Sequence, residues 1–82
     1  MFQTFDLRLH AIHNYNDIME ALALPKTKGD DRMLEFYWPS GRRSFISVSR
    51  KEGKRLRGLI GKVFPAYFDE DEQLTIDGIN PI

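Results

Sequence analysis

The sequence predicts one small α+β domain with the element order β-α-β-β-α-β. This is the ferredoxin-like or split-βαβ pattern, an antiparallel sheet with two helices on one face. Three observations lead to this prediction: a run of alternating polar and apolar residues, two aromatic-rich runs joined by a Pro-Ser-Gly turn, and two apolar stripes of helical period. The chain has 82 residues, of which 41% are hydrophobic, so residues 1–82 are expected to form a single domain with a thin core.

The first predicted strand lies near the start of the chain. Apolar residues occur there at every second position, and mostly polar residues fill the positions between them. A period of two is typical of a strand with one buried face, because successive side chains point to opposite faces of a sheet. The residues expected on the buried face are Phe5, Leu7, Leu9 and Ala11.

The first helix is predicted to follow, with Asn14 or Asn16 as its N-cap. Pro25 disfavours helical geometry at the residue before it, so this helix should have about two turns. Residues 26–31 combine Lys, Thr, Gly and Asp and are predicted to form a solvated loop. The apolar stripe of the helix is Tyr15, Ile18, Met19 and Leu22.

A β-hairpin is predicted for residues 33–48. Residues 32–38 and 43–48 both contain alternating side chains, and the Pro-Ser-Gly sequence at 39–41 has the composition of a tight turn. The side chains expected to face the helices are Leu34, Phe36, Trp38, Ile46 and Val48.

The second helix is predicted to span residues 50–64. Ser49 and Glu52 have the spacing of a capping box, in which each side chain bonds a free backbone amide of the first turn. Pro65 should end the helix. The glycines within it indicate either a close approach to the sheet or a locally soft helix. Its apolar stripe is Leu56, Leu59, Ile60 and Val63.

A weak last strand is predicted within residues 73–79. Leu74 and Ile76 alternate there with polar residues. Without this strand, the same sequence would form a three-stranded sheet with two helices.

Composition excludes several classes of protein. The absence of cysteine excludes disulfides, thiol catalysis and thiolate metal sites. No apolar run approaches the ~20 residues of a membrane span, and the first residues lack the pattern of a signal peptide. These features predict a cytoplasmic protein that does not bind a membrane.

No motif predicts catalysis, a metal site or a cofactor. His10 and His13 are three residues apart, and such positions point to opposite faces of a regular strand, so these side chains meet only if the chain bends. Residues 58–62 lack the hydroxyl residue and the strand-to-helix context of a phosphate loop, and no serine lies in a Gly-x-Ser-x-Gly elbow. We therefore expect a non-enzymatic protein.

Charge is the feature that most clearly predicts a function. Eight of the 12 basic residues and a single acid, Glu52, fall between residues 42 and 62, whereas residues 69–77 hold five acids and no base. Clustered Lys and Arg side chains are typical of surfaces that bind the phosphates of DNA or RNA. The predicted nucleic-acid-binding residues are Arg42, Arg43, Arg50, Lys51, Lys54, Arg55, Arg57 and Lys62.

The outer face of the sheet suggests an alternative function. If the hairpin side chains assigned above face the helices, then Arg8, Tyr37 and Phe45 face outward, where they could stack on bases or contact a protein. In this alternative the chain is a protein-binding adaptor, an inhibitor of a larger enzyme, or a homodimer through the open sheet face. Its net charge of zero favours this alternative, because nucleic-acid binders are usually basic as a whole.

Overall fold

The computed structural model describes residues 3–22 and 31–82. Within these residues the chain forms an α+β domain with five strands and two α-helices. Two predictions lie outside the described residues: the end of the first helix before Pro25, and the loop 26–31 except for its last residue. The elements are β1 (Phe5–Asn14), α1 (Tyr15–Ala21), β2 (Arg32–Tyr37), β3 (Arg43–Val48), α2 (Arg50–Leu56) with a 3₁₀ helix (Arg57–Leu59), β4 (Val63–Phe68) and β5 (Leu74–Ile76).

The strands form one curled antiparallel sheet with the order β3-β2-β1-β4-β5. The predicted hairpin of residues 33–48 is confirmed as β2 paired with β3. The ferredoxin-like strand order is not confirmed, because the two strands of a βαβ unit are parallel, whereas α1 joins β1 to an antiparallel neighbour. The other side of β1 is paired with β4, a strand that the sequence pattern did not predict.

A β-bulge in β1 changes which residues face the core. Leu9 is paired with Phe36 and Ile12 with Leu34, so the strand has one extra residue at this point. The prediction that Ala11 continues the row begun by Phe5, Leu7 and Leu9 is therefore wrong. Ile12 takes that place and packs against the core.

The hydrophobic core lies on one face of the sheet, between the sheet and α2. Cross-strand pairs such as Leu7 with Phe64, and Leu34 with Ile46, share this face. Leu56 is the buried apolar residue of α2 and has no exposed surface. Met19, the buried residue of α1, lies outside this cluster, so the packing of both helices on one face is not confirmed. The buried core residues are Leu7, Leu9, Leu34, Phe36, Val48, Leu56, Ala66, Ile76 and Ile79.

The second helix is shorter than the predicted span of residues 50–64. It ends in the 3₁₀ helix, and Gly61 then adopts a φ of 93°, a conformation that non-glycine residues rarely take. The chain turns back at this point, and residues 63–68 become β4. As a result Ile60 and Val63 are exposed rather than part of an apolar helix stripe.

Pro65 is accommodated within β4. Its carbonyl accepts a hydrogen bond from the amide of Asp77 (2.8 Å), so this side of Pro65 faces the chain that follows β5. The carbonyl and the nitrogen of a residue in a strand point to the same side, and the β4–β5 pairing begins only at Ala66. The missing N–H therefore falls at the end of the ladder, where a proline is tolerated.

The C-terminal residues connect the two edges of the sheet. Ile76 belongs to β5 at one edge, and the amide of Ile82 donates to the carbonyl of Ser47 (3.0 Å) in β3 at the other edge. Ile79, between these points, is buried in the core. Residues 77–82 thus lie across the core face beside α2. We call them the C-terminal strap.

The helix α1 begins directly after β1 and has Asn14 as its N-cap. The Asn14 side chain does not cap a backbone amide; its Nδ2 donates to Oδ2 of Asp17 (3.2 Å) instead.

In residues 3–22 and 31–82, neither α1 nor α2 has the length and apolar character needed to cross a membrane.

Gly53 permits a close approach between α2 and the sheet. A Cβ atom at this position would lie 2.8 Å from Cγ of Arg32, a distance that real Cβ atoms essentially never show, and 3.0 Å from its Cβ, which is also unusually close. A Cβ atom at Gly58 would meet no atom within 4 Å. Of the two explanations that the sequence left open for these glycines, close packing therefore applies at Gly53.

We predict opposite effects for alanine at these two glycines. Gly58→Ala should leave the free energy of unfolding unchanged or raise it by up to about 1 kcal/mol, because alanine restricts the unfolded chain. Gly53→Ala should lower it by about 1–3 kcal/mol, since the added methyl group overpacks the contact with Arg32. Urea unfolding of the two variants measures both effects, and a stabilised Gly53→Ala variant would contradict the close packing.

Candidate anion-binding groove

A groove lies between α2 and the end of the sheet where β1 finishes and β2 begins. Its volume is about 410 Å³, within the range of roughly 300–1,000 Å³ that is usual for ligand sites. Among the described residues that line it, four are cations and none is an acid. We call it the basic groove, and its lining residues are Ile12, Asn14, Arg32, Arg50, Gly53, Lys54, Arg57 and Ile60.

Helical spacing places three of the cations on one wall of the basic groove. Arg50, Lys54 and Arg57 follow one another at intervals of four and three residues, which aligns their side chains on one helix face. All three are exposed. The three residues therefore form one row of positive charge along α2 and its 3₁₀ extension.

The fourth cation, Arg32, comes from the sheet. It is the first residue of β2, and its side chain passes Gly53 at the close contact described above. Its Nη1 donates to the carbonyl of Asp31 (3.2 Å). Because Gly53 has no side chain, α2 approaches β2 closely enough for Arg32 and the helix cations to line one groove.

The basic groove also has apolar surface. Ile12 is half-buried beside Gly53, and Ile60 is 47% exposed although it is a large apolar residue. The side chain of Asn14 adds an amide at the end of β1. The groove therefore combines charge with surfaces suited to an uncharged part of a ligand.

Arg55, a predicted nucleic-acid-binding residue, makes its contacts within the protein. Its Nε and Nη2 donate to both carboxylate oxygens of Glu52 (2.6 and 2.7 Å), and Nη2 also donates to the carbonyl of Gly78 (2.7 Å). This contact raises the pKa of Arg55. Arg55 thus joins α2 to the C-terminal strap and does not line the basic groove.

Glu52 forms only half of the predicted capping box. Its amide donates to Oγ of Ser49 (3.1 Å), as predicted, but its carboxylate turns to Arg55 and to the amide of Asn80 (2.8 Å). The hydrogen bond from Arg55 is the main cause that holds the pKa of Glu52 below its usual value; burial opposes this shift, and Asn80 assists it.

The remaining predicted cations lie outside the basic groove. Arg42 and Arg43 are at the hairpin turn, the opposite end of β2 from Arg32, about 17–20 Å away at the rise of a β-strand. Lys51 faces a depression beside the C-terminal strap, and Lys62 follows the turn at Gly61. The eight predicted residues therefore do not form one surface.

The predicted outward-facing residues do share the second face of the sheet. Arg8 is paired with Tyr37, and Phe45 with Glu35, all on the face opposite the core. Tyr37 packs on His10 with ring centroids 4.5 Å apart, and the guanidinium of Arg43 lies 6.0 Å from the centre of Phe45. Tyr37 and Phe45 are diagonal neighbours, so they are not a directly opposed pair.

This second face is not fully open. Met33 and Glu35 belong to it and are each 5% exposed. Burial would raise the pKa of Glu35, but contacts with Nε2 of His13 (2.7 Å) and Nη1 of Arg43 (3.5 Å) outweigh it, so the pKa is lowered. The surface available for a partner is reduced accordingly.

The bulge in β1 also changes the expected geometry of the two histidines. His10 contacts Tyr37 and His13 contacts Glu35, so both lie on the second face, although residues three apart on a regular strand would not. Within residues 3–22 and 31–82, no group of three or more His, Asp or Glu side chains is arranged to hold a metal ion.

No protein-family model, curated protein or solved structure matches this chain. The function is therefore inferred from the basic groove itself. Arg32 is the one groove cation that the sequence analysis did not include among the predicted binding residues. It is separated by 18 positions from the nearest predicted site residue on α2, Arg50, and only the contact at Gly53 brings it to the others.

We predict that Glu52 stabilises the protein against acid. A carboxylate whose pKa is lowered by folding contributes stability above its ordinary pKa of 4.5, and this contribution is lost as the pH falls through the lowered value. Glu52→Gln should lower the melting temperature at pH 7 and flatten its decline below pH 4.5, as measured by circular dichroism between pH 7 and 3. Glu70→Gln is the control, because it makes the same chemical change at an exposed residue. A Glu52→Gln profile parallel to the wild-type profile would contradict this role.

Proposed function

We propose that this chain is a non-enzymatic binding module that binds DNA or RNA through the basic groove. The observation that carries the proposal is the gathering of Arg32, Arg50, Lys54 and Arg57 around one groove whose described lining contains no acid. Such a group of cations attracts phosphates, and binding to a polyanion releases its counterions. Arginine also presents a planar fork of donors that fits phosphate oxygens.

The composition of the basic groove favours binding over catalysis. Its described side chains are arginine, lysine, asparagine and isoleucine, which recognise charge and shape. Apart from the amine of Lys54, the described lining contains no group that commonly serves as an acid, a base or a nucleophile. This set of residues is consistent with recognition of an anion and supports a non-enzymatic role.

The protein-partner alternative has weaker support. Its proposed surface, with Arg8, Tyr37 and Phe45, lies on the second face of the sheet, where Met33 and Glu35 are already buried within a single chain. A partner there, including a second copy of the chain, would meet a smaller apolar area than an open sheet face offers. We therefore place nucleic acid first and a protein partner second.

Salt dependence tests the proposal. At about 50 mM salt the chain should bind a single-stranded oligonucleotide of mixed sequence, and each phosphate contact should contribute about 0.7 to the slope of log affinity against log salt. The double variant Lys54→Ala with Arg57→Ala removes two groove cations, so that slope should fall by about 1.4. Fluorescence anisotropy over a salt series measures both quantities.

The matched control is the double variant Lys51→Ala with Lys62→Ala. It removes the same charge from exposed residues that lie outside the basic groove, and its slope should stay close to the wild-type value. Equal losses in the two double variants would show that only total charge matters. No binding of single strands, duplex DNA or RNA at 50 mM salt would rule out the nucleic-acid proposal and favour a protein partner.

A further inference from the structure

We infer that the basic groove prefers a terminal phosphomonoester, the phosphate at a strand end or on a free nucleotide, over the internal phosphodiesters of a strand. This inference rests on the proposed function, since it names the part of a nucleic acid that the groove would bind. It concerns the chemical class of the phosphate, which the proposed function leaves open.

The first argument is the number of charges and donors. An internal phosphodiester carries one negative charge and has two oxygens outside the chain, whereas a phosphomonoester carries about −1.5 to −2 near pH 7 and has three strong acceptor oxygens. Three guanidinium groups and one ammonium group line the basic groove. Because the attraction of these four cations for an anion grows with the charge of the anion, the groove should favour the phosphomonoester over a phosphodiester.

The second argument is the shape of the site. The four cations line one groove of about 410 Å³, three of them in a short row on the helix side and Arg32 on the sheet. The row from Arg50 to Arg57 extends over only about 10 Å, at 1.5 Å per residue. A row of this length can contact only about two phosphates of a strand that passes through, whereas a strand end brings its extra charge into the groove.

The third argument is the apolar surface next to the charges. Ile12 and Ile60 line the same groove as the cations, and Ile60 keeps 47% of its surface exposed. A sugar and base attached to the bound phosphate can cover these side chains, which inorganic phosphate cannot do. The amide of Asn14 offers a polar contact at the same end. The ligand class is therefore a nucleotide unit with a terminal phosphate.

The test compares four single-stranded oligonucleotides of one sequence: one with hydroxyl groups at both ends, one with a 5′-phosphate, one with a 3′-phosphate and one with both. Measured by anisotropy at fixed salt, at least one singly phosphorylated strand should bind about tenfold more tightly than the unmodified strand. Lys54→Gln should reduce this ratio towards one, whereas the control Lys51→Gln should preserve it.

Competition with a nucleoside 5′-monophosphate identifies the source of the phosphate. Displacement of the phosphorylated strand by the monophosphate at similar concentrations would support the inference and identify a free nucleotide as the ligand. If the phosphorylated strand binds more tightly but the monophosphate does not displace it, the inference is supported and the ligand is a strand end. Equal affinity for all four oligonucleotides would overturn the inference and leave the proposed function in place. Binding of none of them would overturn both.

Discussion

The fold depends on the contact between Glu52 and the C-terminal strap. The α2 helix has only seven residues, too few to cover the core face of a five-stranded sheet alone. Glu52 accepts hydrogen bonds from Arg55 and from the amide of Asn80, and Arg55 also reaches the carbonyl of Gly78. These bonds hold the strap beside α2, so that Ile79 completes the core. The short helix and the C-terminal strap together cover the core face of the sheet, which two long helices cover in a larger α+β domain.

The position of α2 in turn creates the basic groove. Once the helix is fixed by the strap on one side, Gly53 sets its distance from β2 on the other. A bulkier residue at 53 would separate Arg32 from the row that contains Lys54 and Arg57. The same glycine that lowers intrinsic helix stability therefore determines both the packing of α2 and the position of the cations.

Sequence patterns predicted the elements that turn and capping residues specify locally. They failed for elements and site residues that depend on contacts between residues distant in the sequence. The hairpin and the start of α2 at Ser49 follow from turn and capping residues. The strand β4 was missed because the residues before Pro65 continue a helical apolar stripe, and only the positive φ of Gly61 and the free side of β1 turn them into a strand. For the site, the clustering of Lys and Arg along the chain included three of the four groove cations among its eight predicted residues. Arg32 and the structural role of Arg55 depend on tertiary contacts that no local pattern records.

The distribution of charge in space explains how a chain of zero net charge can present a basic site. The acidic residues 69–72 follow β4 at the end of the sheet where Phe5 packs against Phe68. The basic groove lies at the opposite end of β1, near Ile12, seven residues and therefore about 23 Å from Phe5 along the strand. Because this distance exceeds the Debye length of about 8 Å at physiological ionic strength, residues 69–72 do not cancel the positive charge of the groove. Net charge describes the whole chain, whereas a bound anion responds to the charges within about one Debye length. The acidic run at residues 69–72 therefore does not count against an anion site at this end of the molecule.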